Sequence, residues 1–207
     1  MITKNISPGI LIIGGEGPSS SNPRQSVEFW SDTEESCVLN DYPKYMDIGP
    51  TAQFVSDQLI ACYTDSCEIY THGFGWNHLV HTTTYRKNPS SAQNGTAMLL
   101  IGGEAGTEKY STEWIPADGS PSQPGTFSVR HGHSHCTIQL SSNHILLTGG
   151  RETEDYVTGY QLDALDGDMT LFNGMKHGRR GHACGAYQAS GQQVHLSILF
   201  SNVCERC

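Results

Sequence analysis

Three short apolar runs in this chain end in the same way. Ile10-Leu11-Ile12-Ile13 runs into Gly14-Gly15, Met98-Leu99-Leu100-Ile101 into Gly102-Gly103, and Ile145-Leu146-Leu147-Thr148 into Gly149-Gly150. Runs this short, closed by glycines, fit strands buried on both faces better than helices. The last two glycine pairs start 47 residues apart, and the first two 88 apart, which is two periods of 44. A further copy is therefore predicted near residue 60. Leu59-Ile60-Ala61-Cys62-Tyr63 stands there, with the apolar run kept and the glycine pair lost.

A second pattern repeats in step with the first. Ser26-Val27-Glu28-Phe29-Trp30, Ser66-Cys67-Glu68-Ile69-Tyr70 and Ser111-Thr112-Glu113-Trp114-Ile115 share a serine, a glutamate two positions on and an aromatic close behind. Thr158-Gly159-Tyr160-Gln161-Leu162 is a weaker fourth copy, and the four starts lie 40, 45 and 47 residues apart. Two patterns on one period mark an internal repeat. Turn dipeptides of the hairpin kind punctuate it: Asn94-Gly95, Asp118-Gly119, Asp166-Gly167 and Asn173-Gly174. A further strand is predicted between copies, over 49–58, 90–93, 130–140 and 180–188, and none is read ahead of the first run. The sum is about four strands per repeat, the blade unit of a β-propeller.

Composition agrees with an all-β chain. Of 207 residues, 23 are glycine and only 16% are charged, which suits short strands and tight turns and not a helical bundle. Nine Tyr, six Phe and three Trp supply apolar surface that a disordered chain lacks. A net charge of −9 repels phosphate backbones, so no nucleic-acid partner is expected. No apolar run approaches the ~20 residues of a spanning helix, and no membrane partner is expected. The opening stretch, Met1 to Gly15, has too short an apolar segment for a secretory leader and reads as a strand. With no leader read, the compartment stays open, and the cytoplasm is only slightly favoured.

The repeat resembles the kelch repeat. That resemblance rests on the apolar strand ending in Gly-Gly, the spaced aromatics behind it, and a leading strand of Arg-x-x-His type. Arg130-His131-Gly132-His133-Ser134 matches that leading strand, and Arg179-Arg180-Gly181-His182 is its next copy, 49 residues on. The likeness covers residues 9–195 and departs from the pattern at Cys62-Tyr63. It implies an all-β fold: a β-propeller of about four kelch-type blades, or an incomplete arc of a larger propeller. Blades are expected at about 9–48, 49–82, 83–129 and 130–177, with a partial fifth repeat at 178–200 and a non-repeat tail at 201–207. The tail and the missing glycine pair of the fifth repeat favour the arc, whose open edges invite self-association.

The resemblance also implies function. Kelch domains mostly serve as protein-interaction modules, so a non-enzymatic scaffold binding a protein or peptide is the expectation. Alternate loops of antiparallel strands gather on one rim, and loops on a rigid scaffold are the usual place for recognition. That rim should carry Arg86, Glu104, Glu108, Tyr110, Arg130, His131, Arg151, Glu152, Glu154, Tyr156, Arg179 and Arg180. The alternative is an enzyme like the copper radical oxidase galactose oxidase, or a carbohydrate-acting propeller. Its tyrosine–cysteine cofactor and histidine ligands have no matching positions here, and fold alone does not carry an activity over. No cofactor and no catalytic residue is therefore assigned.

Two groups of metal-binding residue types remain. His131, His133 and His135 alternate and would share one face of a strand, where they could ligate zinc or copper. The competing reading is structural hydrogen bonding, and it is preferred, because His133 sits where kelch strands commonly carry histidine. Cys204-Glu205-Arg206-Cys207 has half of a zinc-site spacing and no second half. The seven cysteines are an odd number. Cys62 and Cys67 bracket a tight turn and are read as buried thiols or as a disulfide across a hairpin. Asn5-Ile6-Ser7 and Asn94-Gly95-Thr96 fit the glycosylation pattern but, without a leader, are read as chance.

Overall fold

The computed structural model describes residues 9–13, 25–31, 37–44, 49–104, 109–129, 132–151, 159–163, 166–172, 175–181, 184–187 and 195–197. Every regular element among them is a β-strand. The first sheet holds β1 (Gly9–Ile13), β2 (Val27–Ser31) and β3 (Cys37–Leu39). The second holds β4 (Thr51–Val55), β5 (Gln58–Thr71) and β6 (Gly75–Arg86). The third holds β7 (Ser90–Asn94), β8 (Ala97–Ile101), β9 (Ser111–Pro116) and β10 (Gln123–Ser128). The fourth holds β11 (Cys136–Gln139), β12 (His144–Thr148), β13 (Gly159–Asp163) and β14 (Met169–Phe172). The fifth pairs β15 (Gly185–Tyr187) with β16 (His195–Ser197), where the partial repeat was expected.

All pairings between chain neighbours are antiparallel, so each sheet is a simple meander. The burial of β8 shows how the sheets lie against each other. Met98 and Leu100 point into a core shared with Val55, Ile60 and Cys62 of the second sheet. Leu99 and Ile101 point the other way, into a core with Ile145, Leu147 and Leu162 of the fourth. All four are fully buried, which is why this strand reads as an unbroken apolar run and not as an alternation. A smaller core of Val27, Tyr42 and Ala61 joins the first sheet to the second. Burying one such side chain stabilises by about 1.5–3 kcal/mol, so the two faces of one strand bind three sheets together.

The first strands of successive sheets stand side by side: β4 against β7, β7 against β11, and β11 against β15. Polar side chains stitch them. The Gln53 amide donates to Ser91 O at 3.0 Å, Thr137 Oγ1 donates to the same carbonyl at 2.7 Å, and the Thr51 and Ser91 hydroxyls bond each other. The Gln93 N–H donates to the Gln139 side-chain oxygen at 3.0 Å. A disulfide between Cys136 and Cys184 ties the start of β11 to the residue before β15, 48 positions on.

The second sheet departs from its neighbours where its glycine pair is missing. Residues 58–62 of β5 pair with β4, whereas 64–71 pair with β6. The Cα atoms of Cys62 and Cys67 are 4.0 Å apart. Five extended steps would span about 16 Å, so the strand folds back on itself at Tyr63–Ser66. Thr64 takes the left-handed conformation there, at φ 56°, and a Cys62–Cys67 disulfide closes the fold-back. The pair is therefore bonded and not two separate thiols.

Other expectations change in detail. Strand β6 continues to Arg86, past the expected segment end at 82. The strand expected over 49–58 is interrupted by a two-residue turn at Ser56-Asp57, both with positive φ. The strand expected over 130–140 begins only at Cys136. Ser134 has φ 57°, so strand alternation is broken between His133 and His135, and His131 lies outside the described residues.

Candidate interaction rim

The glycine pairs build this rim. Gly102 and Gly103 leave β8 at φ 62° and 112°, and Gly149 and Gly150 leave β12 at φ 64° and 117°. These values lie where side chains are strained and glycine is not. A Cβ on Gly103 would also sit 3.0 Å from the Arg86 Cβ and 3.4 Å from Lys87 O. The missing side chain therefore lets the β6–β7 connector close onto the end of β8.

Backbone hydrogen bonds then run along the described part of this edge. Lys87 and Glu104 exchange N–H···O bonds of 3.2 and 2.6 Å, and the Gly103 N–H reaches Gly132 O at 2.6 Å. The Ser134 N–H donates to Asn88 O, the Arg151 N–H to His133 O, the Gly150 N–H to Arg179 O and the Gly181 N–H to Ser134 O, at 2.8–3.2 Å. Connectors 87–89, 132–135 and 178–181 are thus bonded to the loop starts at 102–104 and 149–151. This is one rim, shared by the connectors between sheets and the loops between second and third strands.

Glu104, Arg151 and Arg180 are exposed on that belt, and Lys87 and Arg179 are half-buried in it. Tyr110 is half-buried, with Lys109 Nζ 5.0 Å from its ring centroid. Glu108, Arg130, His131, Glu152, Glu154 and Tyr156 lie outside the described residues. Among the described rim candidates, Arg86 is the one that the structure removes. It is buried at 2% exposure and offers nothing to a partner. Its Nε donates to the Glu113 carboxylate at 3.2 Å, its Nη1 to Gly102 O at 2.8 Å and Ser111 O at 3.0 Å, and its Nη2 to the Ser111 hydroxyl at 2.8 Å. The physical reason is charge: Glu113 is fully buried, and a buried carboxylate needs a cation and donors.

Glu68 is held in the same way one repeat earlier. Tyr42 donates its hydroxyl hydrogen to the Glu68 carboxylate, and Ser66 donates to it at 2.7 Å. Tyr42 lies 26 residues before Glu68, and Arg86 lies 27 before Glu113. Each latch thus joins a glutamate on one sheet to a residue reached from the sheet before. Burial, and then the charge of Glu68, push the Tyr42 phenol far above its ordinary value, which keeps it a neutral donor. The sequence pattern marks both glutamates as repeat positions but misses their task. The available signal was an acid recurring inside an otherwise apolar strand.

Two histidines of the candidate cluster are held by hydroxyl groups. His135 Nε2 bonds the Ser90 hydroxyl at 2.6 Å, and His133 Nδ1 the Ser134 hydroxyl at 2.9 Å. Among the described residues, no group of three or more His, Cys, Asp or Glu side chains is arranged to hold a metal. Cys204 and Cys207 lie outside the described residues. No described helix is long and apolar enough to cross a membrane. Lys44 Nζ, 3.1 Å from Asp65, holds that carboxyl below its usual range.

No protein-family profile and no curated protein sequence matches this chain. Among solved structures it is similar to YjhT, with a TM-score of 0.66 and 10% sequence identity over 86% of this chain and 70% of that one. Similarity at that identity speaks to the all-β architecture alone.

Proposed function

We propose that this chain is a kelch-type β-propeller segment of about four blades with the start of a fifth, and that it is a non-enzymatic scaffold binding a protein or peptide on the rim just described. The repeat period, the meandering sheets in chain order and the first strands set side by side support the propeller reading. The observation that carries the functional reading is the belt. Five loop segments spanning the second to the fifth sheet are fixed to one another by backbone bonds, yet they leave Glu104, Arg151 and Arg180 exposed to solvent. A rigid edge with exposed charges of both signs and a flanking Tyr110 suits polar recognition with little ordering cost. Among the described residues, Tyr42, Glu68, Arg86 and Glu113 are buried and occupied in holding sheets together, whereas Glu104, Arg151 and Arg180 are exposed on the belt.

The test is a quantitative capture experiment comparing the wild-type chain with Arg151→Glu/Arg180→Glu. Partners enriched by the wild type should fall several-fold with the double variant at equal fold stability. An unchanged partner set at unchanged abundance would place recognition elsewhere.

A further inference from the structure

Two covalent links bear on where this chain folds. Cys62–Cys67 closes the fold-back of the second sheet, and Cys136–Cys184 ties the fourth sheet to the fifth. Disulfides persist in oxidising compartments and are rare where glutathione keeps thiols reduced. Oxidising compartments of the secretory route are also where oligosaccharide is transferred to Asn-x-Ser/Thr. Asn94-Gly95-Thr96 has that pattern.

We propose that this chain matures in an oxidising secretory compartment and carries an N-linked oligosaccharide on Asn94. The site's geometry suits the modification. Asn94 pairs with Ala97, so Gly95 and Thr96 form a two-residue hairpin turn between β7 and β8. Gly95 supplies the positive φ of 58° that such a turn requires at its first position. Gly95 and Thr96 are exposed, Asn94 is partly so, and a Cβ built on Gly95 meets no atom within 4 Å. A bulky saccharide therefore has open space at the turn.

The reaction needs a lipid-pyrophosphate-linked oligosaccharide as donor. The Asn94 amide nitrogen forms a bond to the anomeric carbon and loses a proton. The bond from that carbon to the phosphate oxygen breaks, and the lipid pyrophosphate leaves with the electron pair. Strand direction places the product well. Strand β7 runs away from the belt, so the β7–β8 turn sits at the opposite end of the sheet, beside the β9–β10 turn to which Ala117 N–H···O Thr96 links it at 3.0 Å. A glycan there leaves Glu104, Arg151 and Arg180 uncovered. The inference stands on the disulfides and the turn and does not depend on the rim reading.

The test uses the full chain, carried by a cleavable leader into the secretory route of a eukaryotic cell. Glycopeptide mapping should find saccharide on Asn94, and an amidase specific for N-linked glycans should collapse the band shift. Asn94→Gln and Thr96→Ala should each abolish the Asn94 glycan, whereas Thr96→Ser should retain part of it. Asn5→Gln separates any contribution of the Asn5-Ile6-Ser7 pattern, which lies outside the described residues. A non-reducing digest should recover the Cys136 peptide linked to the Cys184 peptide. A wild-type Asn94 peptide found wholly unmodified in disulfide-linked protein overturns the site. Secreted protein lacking both disulfides overturns the compartment. Both readings come from the wild-type chain, so neither depends on a variant folding.

Discussion

Replacing Arg86 by Met keeps most of the apolar stem and removes the guanidinium. Four hydrogen bonds disappear, and Glu113, with no exposure of its own, is left as a buried charge whose remaining donor is the Thr83 N–H. Breaking a buried ion pair from one side costs about 3–5 kcal/mol. Glu113→Gln keeps an acceptor for the Thr83 N–H but strands the buried Arg86 guanidinium, so it breaks the same pair from the other side and should also cost about 3–5 kcal/mol. The double variant Arg86→Met/Glu113→Leu strands no charge, and apolar replacement of a whole buried pair is often neutral or better. It should therefore be more stable than Arg86→Met alone. Urea titration followed by tryptophan fluorescence reports the comparison, because Trp76 and Trp114 pack against the cores on either side. Arg86→Met within about 0.5 kcal/mol of wild type, or a double variant equal to the sum of Arg86→Met and the single Glu113→Leu, would refute the latch.

Three further outcomes follow from the same structure. Removing Cys136–Cys184 by Ser substitution should destabilise by about 4 kcal/mol on the chain-entropy estimate, against about 2 kcal/mol for Cys62–Cys67. The separations are 48 and 5 residues, and calorimetry of each pair variant checks the order. Tyr42 has its phenol raised in the folded state, so its contribution is intact below about pH 10 and is lost as pH climbs above that, when only the unfolded chain ionises. Tyr42→Phe loses the bond to Glu68, so it should be less stable than wild type near neutral pH but fall less steeply in stability above about pH 10, and an equally steep alkaline fall would contradict the assignment. Gly103→Ala, at φ 112° and 3.0 Å from the Arg86 Cβ, should cost more than Gly95→Ala, which meets only the turn's backbone strain; thermal melts of the two variants decide it.

Much of the architecture was legible because the repeat is written in backbone chemistry. Gly102-Gly103 and Gly149-Gly150, the repeated closers of the apolar runs, take positive φ, and so do Gly95, Gly119 and Gly167 in their turn dipeptides. The fold-back at Thr64 was less visible. Its turn has no glycine and is closed by a disulfide, so the local signal is only the bracketing cysteines. The Ser56-Asp57 turn is similar, with two non-glycine residues held at positive φ by the pairing of Val55 with Gln58. Arg86 was misplaced for a different reason. Arg-Lys before Asn-Pro reads as a solvated loop, and only the distant Glu113 shows that the first of the two basic residues turns inward. The Cys136–Cys184 link was invisible for the same reason, since a pairing 48 positions apart leaves no local mark. The rim followed from strand direction alone, whereas its hydrogen-bonded belt required the coordinates.

The most direct measurement of the central claim places a photo-activatable cross-linking residue at one site per variant and maps where a bound partner is labelled. Arg151 and Arg180 sit on the belt, and Asp118 sits in the exposed β9–β10 turn at the opposite end of the third sheet. The account predicts that probes at 151 and 180 label the partner and that a probe at 118 does not. Labelling from 118 alone, or equally from all three, would contradict the rim as the binding face.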